Sequence, residues 1–296
     1  MTSSTPNLDA LKRPSGALAM LAVDQREALR QMMSQAQDGK QITDEEVIRF
    51  KLDAAKALTP YASAVLIDNQ FALQRAVDEG VVADNCALIA SADLFIPEYG
   101  ELVGDVDIDP DIPPAQAKGL GAVAQKLLVI WRSDLPAEPR IELVNRFVAG
   151  CREAGLVSII EPVCKKPANP ENEWTWEEDV LKAAQELGSC GADLYKGEVP
   201  FHGKASDEDM LAYYRQMNDA ISSEWVCLSS GVSEADFPHA VELAIEAGAS
   251  GFLAGRAVWA SCLTADDVTA CLNTAAVERL QAMGEMVDAA MARRQA

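Results

Sequence analysis

Lys196 interrupts a short apolar run, "DLYKGEV", that extends from Asp193 to Val199. A strongly hydrated ammonium is among the groups least often buried unless it is paired or chemically used. The plain alternative is that the run stops at Tyr195 and the lysine faces water. An amine that is desolvated and close to other cations gives up its proton more readily, and the free amine attacks carbonyls. The protonated Schiff base so formed is an electron sink. It lets a carbon–carbon bond one atom away break, with the electrons held as an enamine, which is retro-aldol chemistry. Such a cleavage needs a base for the hydroxyl proton on the carbon that is released. Glu161, in "IIEP", is placed for that acid–base work. It serves equally well as a carboxylate that only pairs with Lys196 or Lys126, since structural ion pairs populate such positions too.

Two small-residue turns add a second function. "LSSGV" and "AGR" leave backbone N–H groups free to approach a ligand closely. Ser230, Gly231 and Gly255 would form a cradle and Arg256 would supply the charge for a phosphate; otherwise they are tight turns beside a surface arginine. Asp24 has two readings, a site carboxylate or the cap of the helix "REALRQMM". Lys126 also has two, pointing into the protein or exposed at the start of an apolar run.

These residues share one relation to the chain, lying on or at the end of short apolar runs. Eight such runs occur: 17–23, 62–67, 86–90, 126–131, 157–160, 193–199, 225–230 and 251–255. Their near-continuous hydrophobicity fits strands buried on both faces. Amphipathic stretches separate them. "TDEEVIRFKLDAAKAL" opens with Thr43 and Glu46 in capping-box spacing, and Thr175 and Glu178 repeat the device before Gly188. Pro238 and Gly248 bracket another helix. The stretch from Glu98 to Ala117, with its Asp-Pro and Pro-Pro turns, reads as a loop or irregular connection.

Eight βα units predict a (β/α)8 TIM barrel, a single domain over 15–296 behind an N-terminal tail of 1–14. In that fold the C-terminal strand ends carry the chemistry, and the loops after strands seven and eight commonly bind phosphate. A doubly wound open sheet is the runner-up. It is weakened because no G-x-G-x-x-G or P-loop follows a strand.

Composition narrows the function. The 296 residues carry a formal net charge of -21, which repels nucleic acid and anionic lipid. Seven cysteines with no metal-like spacing, no apolar h-region and no membrane-length apolar run point to free thiols in a reducing, cytoplasmic setting. With only two histidines, His202 and His239, no three-histidine zinc site is possible. Neither a metal nor a cofactor is expected.

Five segments in order, "LAVDQREA", "SIIEPV", "GADLYK", "LSSGV" and "GASGFLAGRAVW", resemble the class I tagatose-bisphosphate aldolase family, from about Ser15 to the C-terminus. The resemblance implies a metal-independent barrel, Lys196 as Schiff-base lysine and Glu161 as acid–base group. Asp24, Gln25 and Lys126 match positions that line the substrate in relatives. Ser230, Gly231, Gly255 and Arg256 match the site for the dihydroxyacetone-phosphate end. The glutamate of "DQRE" and the "WRSD" after the fourth run look like the family's sulfosugar branch. That branch cleaves 6-deoxy-6-sulfofructose 1-phosphate to dihydroxyacetone phosphate and 3-sulfolactaldehyde. Sulfonate and phosphate are both tetrahedral anions that suit Arg or Lys, so residue types alone leave the distal anion open. Gln25, Arg26 and Arg132, with Lys165 and Lys166, are the candidates to meet it.

Competing readings are a tagatose or fructose bisphosphate aldolase, a metal-dependent aldolase, a pyridoxal-phosphate barrel and a sugar-phosphate-binding regulator without turnover. The C-terminal stretch "AAVERLQAMGEMVDAAMARR" reads as an amphipathic helix that closes the barrel bottom. The family resemblance implies a homo-oligomer.

Overall fold

A computed structural model describes residues 7–295. The strands are β1 (Leu18–Ala22), β2 (Ala64–Ile67), β3 (Ala87–Ser91), β4 (Asp93–Glu98), β5 (Glu101–Ile108), β6 (Ala122–Trp131), β7 (Val157–Cys164), β8 (Leu194–Gly197), β9 (Glu224–Cys227) and β10 (Gly251–Ala254). Eight of them close a parallel barrel in the order β1-β10-β9-β8-β7-β6-β3-β2, while β4 and β5 form a separate antiparallel pair. Each of the eight apolar runs became one barrel strand. The reason lies in the two-residue period of a strand. Leu18, Met20 and Ala22 of β1 join one apolar cluster with inward residues of the other strands, while Ala19 and Leu21 join the cluster beneath the helices.

The helices are α1 (Glu27–Ala36), α2 (Asp44–Leu58), α3 (Leu73–Asp78), α4 (Pro114–Gly119), α5 (Ala137–Ala154), α6 (Trp176–Leu187), α7 (Asp207–Ala220), α8 (Phe237–Glu246), α9 (Arg256–Trp259), α10 (Val268–Asn273) and α11 (Ala275–Gln295). The capping box of α2 forms: Glu46 donates its backbone N–H to Thr43 Oγ1 at 3.3 Å, and Thr43 returns one to Glu46 Oε2 at 2.9 Å. The second expected box does not. Thr175 stands at the N-cap of α6 without a side-chain bond, and acidic residues in the first turn face the helix dipole instead.

Two further expectations are corrected. The stretch 98–117 is structured, supplying the turn of the β4–β5 hairpin, β5 and α4. Tyr99 and Gly100, both at positive φ, make the two-residue turn. Gly104 allows its tight pairing, since a Cβ there would lie 2.3 Å from the Glu98 carbonyl oxygen. The signal was obscured by Pro97, which coincides with a register shift in β4. Second, α11 does not close the barrel bottom. It packs against α8, α2 and β1 as a member of the outer ring. The bottom is filled by Leu11, in a 3-10 turn at Leu8–Leu11 within the segment read as a tail, which joins the inward cluster. Arg13 ties this segment to α11 through Asp288 at 2.7 Å. All seven cysteines are free.

Candidate active site

Strand β6 extends well past its neighbours' starts and carries Lys126 into the barrel interior, where its side chain is 2% exposed. It is therefore not a strand-start lysine at the surface. Its Nζ lies 2.8 Å from Asp24 Oδ2, 2.9 Å from Asp93 Oδ2 and 3.0 Å from Glu161 Oε2. The other oxygen of Glu161 lies 2.8 Å from Lys196 Nζ. One carboxylate thus bridges the two lysines that the sequence had singled out. Burial alone would lower the pKa of Lys126, but the surrounding carboxylates outweigh it and hold the ammonium well above its ordinary value. Burial pushes Asp24 up, and Lys126 with Lys196 pulls it down further, so that it stays ionised well below the usual carboxylate range. Asp24 does not cap α1, whose N-cap is Arg26 with no side-chain bond.

A further layer of charge braces this cluster. Arg26 donates to Ser91 Oγ at 3.0 Å, lies 3.8 Å from Asp93 and 3.9 Å from Asp68, and covers the Phe95 ring at 4.1 Å. Lys51, fully buried, contacts Asp68 and donates to the Val23 carbonyl at 2.8 Å. Burial lowers its pKa, and Asp68 only partly offsets this.

The cluster faces a cleft of about 400 Å³ at the C-terminal strand ends. Asp24, Gln25, Arg26, Lys126 and Glu161 line it, joined by Lys165, Ser230 and Arg256. The hairpin supplies an apolar wall of Phe95, Leu102 and Val103. Lys196, 4% exposed at its side chain, meets this lining through Glu161. The cleft thus holds acid–base and amine groups under an apolar cover, the setting in which an imine forms away from bulk water.

Of the expected phosphate cradle, Ser230 and Arg256 line this cleft, while Gly231 and Gly255 lie in the turns beside them and are not in its lining. Gly231 has φ 76°, and a Cβ on it would lie 2.7 Å from His202 Nδ1. At Gly255 a Cβ would lie 2.3 Å from the Ala22 carbonyl oxygen, so only glycine lets the end of β10 press against β1. Trp259 donates its indole N–H to the same carbonyl at 3.0 Å, which fixes α9 and hence Arg256. Arg256 forms no ion pair among the described residues. Neither histidine lines the cleft: His202 packs behind the Gly231 turn and stacks on Trp176 at 4.2 Å, and His239 pairs with Asp207 at 2.8 Å.

Arg132 and Lys166 are not brought to this cleft. The Arg132 guanidinium is held by Glu101 at 2.8 Å and by the Lys166 carbonyl, and both residues line a neighbouring cleft. Sequence reasoning also passed over several groups. Asp93 lies three residues past the third apolar run, within reach of the strand-end rule that found Arg26 three residues past the first. Ser91, Lys51 and the hairpin wall gave no local signal. Glu198 shares an alternation with Lys196 and Leu194, and is buried. Burial pushes its carboxyl up to about 8 against the hydrogen bond it accepts from the Cys164 N–H at 2.9 Å, with Glu161 adding to the rise.

Known proteins resemble the chain in sequence and in fold. Residues 18–261 match the family described as "DeoC/LacD family aldolase". The tagatose 1,6-diphosphate aldolase of Listeria monocytogenes serotype 4a (strain HCC23) is 27% identical, over 95% of this chain and 90% of that protein. Tagatose 1,6-diphosphate aldolase 2 of Enterococcus faecalis (strain ATCC 700802 / V583) is 27% identical, over 95% and 92%. Among solved structures, a Schiff-base-forming fructose-1,6-bisphosphate aldolase superposes with a TM-score of 0.62 at 17% identity, over 95% of this chain and 98% of that one. The fructose-bisphosphate aldolase of Plasmodium falciparum superposes with a TM-score of 0.68 at 16% identity, over 95% and 92%.

Proposed function

The chain belongs to the DeoC/LacD family of aldolases, and from that premise we propose that it is a class I, Schiff-base aldolase acting as a sulfofructosephosphate aldolase. It would cleave 6-deoxy-6-sulfofructose 1-phosphate to dihydroxyacetone phosphate and 3-sulfolactaldehyde. The observation that carries the class I reading is the Glu161 bridge, with one oxygen 2.8 Å from Lys196 and the other 3.0 Å from Lys126.

In this reading the Lys196 amine attacks the C2 carbonyl and water leaves to give the iminium. Glu161 takes the proton of the C4 hydroxyl as the C3–C4 bond breaks. The aldehyde departs, the electron pair rests as the enamine, and protonation at C3 followed by hydrolysis returns dihydroxyacetone phosphate and free lysine. Lys126, kept cationic by its three carboxylates, orients Glu161 and stabilises developing negative charge. Arg256 with Ser230, Gly231 and Gly255 takes the phosphate. Arg26 and Lys165, each beside a carboxylate, are the cations of this cleft that would meet the distal anion. Lys165 follows β7, three strands round the barrel from β10, and so stands across the mouth from Arg256.

The names of the relatives favour a second reading, cleavage of tagatose or fructose 1,6-bisphosphate. Turnover of the sulfosugar phosphate and of both ketose bisphosphates, measured side by side, separates the two. The proposal expects the largest kcat/KM for the sulfosugar phosphate, and a higher value for either bisphosphate overturns that specificity. Borohydride reduction during turnover should leave a three-carbon adduct on Lys196, read by peptide mass spectrometry. An adduct on another lysine, or full activity of Lys196→Ala, overturns the class I assignment.

A further inference from the structure

Beside the catalytic cleft lies a second one of about 510 Å³, between the hairpin tip and the segment 166–174. Its walls are built, not incidental. Asp134 pins the segment by accepting the N–H groups of Ala168 at 2.9 Å and Asn169 at 2.8 Å and the Asn172 amide at 3.3 Å. Arg132, only 1% exposed, sits under the Tyr99 ring at 4.7 Å, and the Lys166 ammonium lies 5.8 Å from the Trp174 ring. Two donors on these walls, Arg132 Nε and Trp174 Nε1, are buried without a partner. Glu101 is the one carboxylate in the lining. Both donor nitrogens lie behind the surface of the cleft, as does Arg132 itself, so in a protein of net charge -21 the cleft shows an exposed ammonium, Lys166, and a buried guanidinium that only Glu101 screens.

We propose that this cleft is a second ligand site, distinct from the catalytic one, for the tetrahedral oxyanion group of a small phosphate- or sulfonate-bearing molecule. Displacement of Glu101 would free one arm of the Arg132 guanidinium for such oxygens, Lys166 supplies a point charge at the rim, and Tyr99 and Trp174 give apolar surface to the rest of the ligand. The two clefts are joined by Glu101. Its Oε1 lies 2.8 Å from Arg132, and its Oε2 lies 2.9 Å from Lys165, which lines the catalytic cleft. Glu101 is therefore the resident anion with which the ligand competes for Arg132.

The test is a tryptophan fluorescence titration of the full chain in the Arg256→Ala background, which removes the charge of the catalytic phosphate cradle. Inorganic phosphate and methanesulfonate are the probes. The expected result is a saturable response that Trp174→Phe abolishes and Lys166→Ala weakens about tenfold. Lys166 is exposed, so its loss leaves the fold intact. Glu101→Gln removes the competing charge and should tighten binding several-fold, which a purely structural Glu101 would not do. A response indifferent to both Lys166→Ala and Glu101→Gln overturns the proposal, as does the absence of any saturable response at millimolar probe.

Discussion

Around β1, β3, β6 and β7 the charged groups at the barrel mouth are paired with one another. Asp24, Asp93 and Glu161 converge on Lys126, Glu161 also holds Lys196, and Arg26 spans Ser91, Asp93 and Asp68. Around β9 and β10, Ser230 and Arg256 face the same cleft, yet Arg256 forms no ion pair among the described residues. The first region stores its charge as a fixed network, which acts on a reaction without having to reorganise. The second leaves its charge unspent, so a free anion could meet Arg256 without displacing a resident carboxylate. Under the proposed function, chemistry and recognition would be divided between two arcs of one barrel.

Removing the base from the paired arc should have the larger effect. Glu161→Gln keeps the shape and most of the hydrogen bonding but leaves Lys126 and Lys196 without their shared carboxylate. Imine formation should persist, because the Lys196 amine remains, while carbon–carbon cleavage falls by roughly 10²–10⁴-fold, the usual contribution of a positioned acid–base group. The distinguishing signature is a variant that borohydride traps with intact ketose yet turns over poorly. Full activity would reduce Glu161 to a neutralising partner.

The open arc should respond in binding. Arg256→Ala is expected to weaken dihydroxyacetone phosphate by about 1.5–3 kcal/mol, the range for a hydrogen bond to a charged group, or roughly ten- to hundredfold in Kd. Lysine should rescue only part of this, because the bidentate fork is lost. Calorimetry giving an unchanged Kd would move the phosphate elsewhere and erase the division between the arcs.

The barrel was legible because strands buried on both faces write themselves as unbroken apolar runs, so one local rule found all eight. The same rule, read at strand ends, brought together Asp24, Glu161, Lys196, Ser230 and Arg256. It stopped short at Asp93 because the third run was closed at Ala90, before the strand's own end at Ser91. Arg132 was misplaced for a different reason. It follows its apolar run directly, as Glu161 follows 157–160, but the hairpin tip reaches over and captures it with Glu101, a contact across 31 residues that no local pattern encodes. The hairpin wall and Lys51 belong to the same class, since their places depend on tertiary packing rather than period.

Glu198 offers a finer probe of the paired arc, because it lies two residues beyond Lys196 and its pKa is affected by Glu161. Burial raises its carboxyl from an ordinary 4.5 to about 8. A carboxyl with a raised native pKa retains its proton in the folded protein after the unfolded chain has lost it. Its protonation therefore favours the fold fully below about 4.5, and that contribution drains away as pH rises toward about 8. Glu198→Gln mimics the neutral form and removes this dependence. Chemical denaturation should therefore find the variant close to wild type at pH 5 and more stable at pH 8, the difference growing by roughly 3 kcal/mol between the two. Catalysis should change less than in Glu161→Gln, because Glu198 reaches the Cys164 backbone and not the lysines. A stability difference that is flat between these pH values would mean that Glu198 is already ionised in the fold, held by the Cys164 N–H rather than by a proton.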